Sequence, residues 1–294
     1  MKNCVSALPI FLIALAACLP APVQQATSPS PTEEARSTAT LSVTQTKEAP
    51  QGSLDKESCL AAGGSIEQHS LASEFLVKDL AFRVYTPPCY QEHADARYPV
   101  LYLIHGQTYN DDQWDRLGAD ETADELIAAG ATPPFLIVMP ADVSHYTQPA
   151  ANGFDEAVVE ELIPWVDGNY RTLTDREQRA VGGLSRGASW AIHLAFTHPD
   201  VFAAVGGHSP PVFQEDASKV RVWLDSIETE RMPRVWLDIG DRDQRAIMGS
   251  ATWFEGLLDE RDLPHEWYLF RGDHSEEYWS GHIELYLRWY TAEW

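Results

Sequence analysis

Gly183-Leu184-Ser185-Arg186-Gly187 reads G-x-S-x-G, between a β-prone run from Arg179 to Leu184 and a helix-prone run from Ala188 to Phe196. On so tight a strand-to-helix turn a serine is strained with its Oγ exposed, and side chains at the flanking positions would collide with the neighbouring strand and helix. The motif therefore proposes Ser185 as a nucleophile. A hydroxyl of ordinary acidity attacks poorly, so Ser185 needs a general base, and that base needs an acid to orient it. After an elbow of this kind the acid precedes the histidine in the chain. Val235 to Gly240 is a strand-like run that ends in Asp241-Arg242-Asp243, and Trp267 to Phe270 is a last apolar run followed by Arg271-Gly272-Asp273-His274-Ser275. His274 is the candidate base. Asp243 is preferred to Asp241 as the acid, because Asp241 directly follows Gly240 and suits the turn itself.

The remaining histidines fit worse. His208 precedes the acid, His265 precedes the final strand and His282 falls within the C-terminal helical region, where packing is the simpler role. The oxyanion of an acyl transfer needs two N–H donors aimed at the developing charge. Arg186, directly after the nucleophile, supplies one. Pro99 to Ile104 is a buried-strand pattern ending in His105-Gly106-Gln107, and the Gln107 N–H is assigned as the second. Alone, His105-Gly106 would read as a strand-end turn; beside the elbow it reads as an oxyanion loop.

Together these residues resemble the bacterial family known as "putative esterase". This is the esterase D-like branch of the α/β-hydrolases, with feruloyl and acetylxylan esterase domains, enterochelin esterases and S-formylglutathione hydrolases. The resemblance runs from Phe82-Arg83-Val84-Tyr85-Thr86-Pro87-Pro88 through Tyr98 to Gly106. It continues in Glu161-Leu162-Ile163-Pro164-Trp165-Val166-Asp167 with Asn169-Tyr170-Arg171, then the elbow, Gly240 to Asp243, and Gly272 to Trp279. It implies a Ser185, Asp243, His274 triad with the Gln107 and Arg186 amides as oxyanion hole. Two positions depart from it: Arg186 stands where relatives often carry Met, and Ala188 where they often carry a second Gly. The amide roles survive this, but the acyl pocket beside Arg186 is expected to differ. Its guanidinium would either recognise an anionic group or pair with a neighbouring acid.

Elements able to position these residues recur along the chain. Strands are expected near residues 65–70, 75–85, 99–104, 135–139, 179–184, 202–207, 235–239 and 266–270, with helices between the later ones. A helix from Asp155 to Tyr170 carries Val158, Leu162, Trp165 and Val166 at helical spacing. Strands alternating with helices give a mostly parallel sheet covered on both faces, the α/β-hydrolase fold. The aromatic residues near the terminus, Trp279, Tyr286, Trp289 and Trp294, are expected in core and rim, not as a carbohydrate platform.

The N-terminus has Lys2, an apolar run from Val5 to Leu15, then Leu15-Ala16-Ala17-Cys18, the form of a bacterial lipoprotein signal with Cys18 as the lipidated first mature residue. The apolar run is well short of the roughly 20 residues of a membrane span. Three regions are expected: a signal peptide at 1–17, a Ser/Thr/Pro/Ala-rich disordered tether at 18–57, and an esterase domain at 58–294. That places the domain outside the cytoplasm, held to the bacterial cell envelope by lipid alone. There Cys59 and Cys89 invite a disulfide.

The net charge is −23, and −24 without residues 1–17, which hold one Lys and no acid; this charge argues against nucleic acid and other polyanions as partners. No Cys-x-x-Cys or His-Glu-x-x-His occurs and Asp111-Asp112 reads as loop polarity, so neither metal nor cofactor is expected. The chain thus reads as a serine ester hydrolase acting on carboxylic esters of small or aromatic acids, including carbohydrate-linked ones. Three alternatives stay open: an acyltransferase using the same triad, a catalytically idle binding lipoprotein on this fold, and a peptidase.

Overall fold

The computed structural model describes residues 58–294. Cys18 and the expected signal and tether lie outside the described residues. Eight strands form one sheet: β1 (Ser65–Leu71), β2 (Leu80–Thr86), β3 (Val100–Ile104), β4 (Leu136–Pro140), β5 (Arg179–Leu184), β6 (Ala204–His208), β7 (Arg234–Gly240) and β8 (Glu266–Phe270). Their order is β1-β2-β4-β3-β5-β6-β7-β8. β2 is antiparallel to both β1 and β4, while β4, β3 and β5 through β8 are mutually parallel.

β3 and β4 are uniformly apolar because both faces are covered, as parallel sheets require. Val100, Tyr102 and Ile104 point into one core, Leu101 and Leu103 into the other. The first core is closed by the helical segment 154–169, by α3 (Arg186–Thr197), and by α4 (Val220–Ser226) and α5 (Arg245–Asp259). The second is closed by α1 (Ala119–Ala128), α6 (Glu276–Ser280) and α7 (Ile283–Tyr290); the last turns of segment 154–169 form α2 (Ile163–Asn169). All residues of α3 from Arg186 to Phe196 are buried. Trp279, Tyr286 and Trp289 are core residues, and Trp294 packs against Phe135.

Two expected elements differ in detail. The second strand starts at Leu80 instead of residue 75, because the Ser73 hydroxyl accepts from the amides of Phe75 and Leu76 and folds that stretch into a turn. The helix expected from Asp155 is present, but it is π-helical from Ala157 to Leu162 before α2. Cys59 and Cys89 are joined by a disulfide, their Cα atoms 5.0 Å apart. Closing this 30-residue separation stabilises the fold by roughly 3–4 kcal/mol in the chain-entropy picture. Among the described residues no helix is long and apolar enough to cross a membrane.

A buried ion cluster locks α3 to the elements beside it. His193 Nδ1 lies 2.8 Å from Asp216 Oδ2 and its Nε2 3.2 Å from Asp155 Oδ2, while His198 Nε2 lies 2.9 Å from Asp155 Oδ1. Burial by itself would lower the His193 pKa, but the two carboxylates outweigh it and push it up to about 9. A histidine whose folded pKa is raised contributes stability that is fully present below its ordinary value of 6.5 and disappears as pH rises through about 9. The stability gap between wild type and His193→Gln should therefore be widest near pH 6 and shrink toward pH 10. A gap that stays constant in urea melts across that range would exclude a charged His193.

Candidate active site

The parallel strands all end at one edge, and their loops converge there, as in other open α/β sheets. β5 runs into Ser185, whose φ of 52° and ψ of −122° lie outside the regions open to ordinary residues. Such strain costs on the order of 1–3 kcal/mol and persists only where the surroundings over-determine it. Here the Ser185 N–H donates to His208 O at 2.8 Å, and Ser185 O accepts from Ala188 N at 2.9 Å. The two glycines of the motif permit the turn's close approach. A Cβ on Gly187 would sit 2.0 Å from Ile104 O, and one on Gly183 would sit 2.3 Å from the Gly187 backbone.

His274, in the loop after β8, places Nε2 2.8 Å from Ser185 Oγ and Nδ1 2.9 Å from Asp243 Oδ1. Since the ionised Asp243 can only accept, Nδ1 carries the proton and Nε2 is free to receive the serine's. The Asp243 side chain is fully buried. It accepts twice more, from the Gln244 N–H at 2.6 Å and the Ser209 hydroxyl at 2.7 Å. Asp241 is not brought into this chain. Its carboxylate accepts from the Gly272 N–H at 3.0 Å and so ties the β7 loop to the histidine loop. His208 pairs at 2.6 Å with Asp238, a buried carboxylate that also accepts from Trp236, Tyr278 and Tyr286. His265 and His282 bond to the carbonyls of Leu263 and Tyr278.

Both expected amide donors border the cleft. Arg186 is the first residue of α3, where N–H groups have no partner within the helix. On the other side, Gly106 O accepts from His105 Nδ1 at 2.7 Å and from Tyr109 N at 3.2 Å. In a trans peptide the carbonyl and the following N–H point opposite ways, so engagement of Gly106 O turns the Gln107 N–H away from those partners. His105 Nε2 in turn accepts from the Asp142 N–H at 2.9 Å, and burial keeps its pKa below the ordinary histidine value.

The Arg186 side chain lies in a buried ion pair. Its Nε is 2.8 Å from Asp142 Oδ2, and its Nη2 donates to the carbonyls of Ser144 and Thr147 at 3.2 and 2.7 Å. Asp142 also accepts from Trp190 Nε1 and from the Ser144 N–H. Burial would raise the Asp142 pKa, but the charge of Arg186 and these donors hold it below the ordinary carboxylate value. The guanidinium therefore organises the loop after β4, which brings Tyr146 and Gln148 to the cleft.

The cleft has a volume of about 680 Å³ and mixes aromatic walls (Tyr109, Tyr146, Phe213, Trp279) with neutral amides, including Gln148 and Gln244. Among the described residues the one grouping of three metal-ligand side chains is Glu255, Asp259 and His265, whose ligand atoms lie within 4.8 Å of one another. It sits at the end of α5 and the start of β8, outside the cleft. Sequence reasoning missed Ser209 and Asp142. Neither belongs to a spaced motif; a serine before Pro210-Pro211 and an aspartate after a strand signal only a turn.

A family model described as "Putative esterase" matches residues 73–290. The chain is 28% identical over 226 residues to an endo-1,4-beta-xylanase/feruloyl esterase of Xylanibacter ruminicola, covering 71% of this chain and 30% of that one. It thus spans under a third of that relative's length. Among solved structures, a ferulic acid esterase superposes with a TM-score of 0.69 at 23% identity, covering 79% of this chain and 98% of the other. A feruloyl esterase module from Clostridium thermocellum, complexed with sinapinate, superposes with a TM-score of 0.67 at 19% identity over 79% and 89%. At such identities these two show a shared fold. Given the extent of the family match, together with the elbow and the sheet order, the chain belongs to the esterase family described as "Putative esterase" and has the α/β-hydrolase fold.

Proposed function

We propose that this protein is a serine ester hydrolase working through an acyl-enzyme. The observation that carries this reading is the unbroken hydrogen-bonded chain Asp243–His274–Ser185 opening into the cleft. His274 Nε2 takes the hydroxyl proton as Ser185 Oγ attacks the ester carbon, and the buried Asp243 carboxylate stabilises the imidazolium that forms. The Gln107 and Arg186 N–H groups face the oxyanion. His274 then passes its proton to the departing alcohol. In the second half it deprotonates the water that attacks the acyl-serine and returns that proton to Ser185 Oγ as the acyl–oxygen bond breaks, releasing the carboxylic acid.

Substrates are esters of small or aromatic carboxylic acids, including carbohydrate-linked ones. The aromatic walls suit a planar acyl group and the neutral amides suit hydroxyl-rich alcohols; the feruloyl esterase name of a relative and the sinapinate bound by a structural neighbour agree. Ser185→Ala should abolish hydrolysis of p-nitrophenyl acetate and methyl ferulate, and labelling by a fluorophosphonate, while the protein stays folded. Wild-type rates in that variant would sink the reading. Asp243→Asn should lower kcat by roughly 10²–10⁴, approaching the serine-protease template. Asp241→Asn, which removes only a tie between loops, should cost far less; the reverse ranking would transfer the acid role.

The Arg186–Asp142 pair supports a structural role for the guanidinium. Arg186→Met keeps the backbone donor but leaves Asp142 buried without its cation, which typically costs about 3–5 kcal/mol. We expect a lower unfolding midpoint and a similar fractional loss of activity on neutral and anionic esters. A loss confined to anionic esters would instead assign Arg186 to substrate recognition.

The reading includes lipid anchoring outside the cytoplasm through Cys18, on the strength of Leu15-Ala16-Ala17-Cys18. In a bacterial host a clickable palmitate analogue should label the wild type and not Cys18→Ser. Equal labelling would remove the anchor.

A further inference from the structure

One fully buried side chain joins the two loops on which the proposed chemistry rests. Gln113 follows β3 by nine residues and is wholly inaccessible to solvent. Its Oε1 accepts from the Gly106 N–H at 2.8 Å, and its Nε2 donates to Glu276 Oε1 at 3.0 Å. Gly106 directly precedes Gln107, the proposed oxyanion donor, and Glu276 lies two residues beyond His274, the proposed base. Each end is braced further. Gly106 O is held by His105 and Tyr109, so Gly106 is gripped at both its N–H and its carbonyl. The Glu276 carboxylate also takes Arg116 Nη2 at 3.1 Å, and that hydrogen bond outweighs burial to keep its pKa below the ordinary value.

The two partners of Gln113 come from distant parts of the chain, Gly106 seven residues before it and Glu276 163 residues after it. An amide has one acceptor and one donor end at fixed separation, and here each end grips a different loop. We propose that Gln113 is a positioning residue that sets the Gln107 N–H and His274 at their working separation across Ser185; this rests on the ester-hydrolase reading above. A misplacement of about 1 Å at a reacting centre can cost on the order of 10² in rate. Because the oxyanion donor acts on the transition state more than on bound ester, that loss falls on kcat and spares KM.

The test compares Gln113→Met, Gln113→Glu and Glu276→Leu with wild type on p-nitrophenyl acetate, with active sites counted by fluorophosphonate labelling. Gln113→Met should lose about 10- to 100-fold in kcat with KM within about twofold. Its affinity for phenylboronic acid, which becomes tetrahedral on Ser185, should fall in parallel. Gln113→Glu keeps the acceptor for Gly106 but sets a carboxylate against Glu276. Like charges raise one of the two pKa values, and the proton then held donates as the amide does. Its rate relative to wild type at equal pH should therefore climb as pH is lowered from about 8 to about 6, which packing alone would not produce. Normal kcat per labelled site in Gln113→Met, or a pH-independent ratio in Gln113→Glu, overturns the proposal. Should the Gln113 variants not fold, Glu276→Leu cuts the same bridge at its partly exposed end and must show the kcat loss at unchanged KM; normal kcat there overturns it equally. Activity surviving in Ser185→Ala would defeat the hydrolase reading itself, whereas a normal Gln113→Met beside a dead Ser185→Ala defeats only the positioning role.

Discussion

The architecture of the site depends on one backbone constraint: Ser185 is held at a positive φ between a parallel strand and a buried helix. A chain that leaves β5 in this way must bring α3 against the end of β3, which is possible only because Gly187 has no side chain to meet Ile104 O. The same turn anchors the serine's own amide on the His208 carbonyl of β6. The cost of the strain is met by the burial of α3 along nearly its whole length in the larger core. Ser185 is thus mounted on the most deeply buried helix among the described residues.

Around this turn the strand ends are organised by three buried carboxylates. Asp142 after β4 answers Arg186 and Trp190, Asp238 within β7 answers His208 and three aromatic donors, and Asp243 after β7 answers His274, Ser209 and Gln244. A buried charge is costly unless it is paired and hydrogen-bonded, so each carboxylate fixes the geometry of the donors around it. Their donors come from strands, helices and loops far apart in sequence. Most acidic residues among those described are at least partly exposed; these three join the elements at the strand ends.

The central strands were legible because a strand covered on both faces must be apolar throughout, and Val100 to Ile104 or Leu136 to Met139 can hardly be read otherwise. Errors fell where a local side chain competes with the ladder. Phe75 and Val77 look like strand residues, yet the Ser73 hydroxyl captures the amides that the strand would need. The π-helical stretch from Ala157 to Leu162 left no mark on an apolar spacing that suits either helix. At the site, the choice of Asp243 over Asp241 followed from the demands of the turn after Gly240, and the geometry pairs Asp243 with His274 and Asp241 with Gly272.

By itself the sequence determined the order of elements, the strand-to-helix serine turn and the succession of serine, acid and histidine at strand ends, because these follow from local periodicity and from glycines at fixed spacing. Only the tertiary structure decided that Arg186 pairs with Asp142, that Ser209 donates to Asp243, and that Gln113 lies between Gly106 and Glu276. Those outcomes depend on which donors and acceptors the folded sheet brings within about 3 Å of one another, a distance that spacing along the chain does not encode.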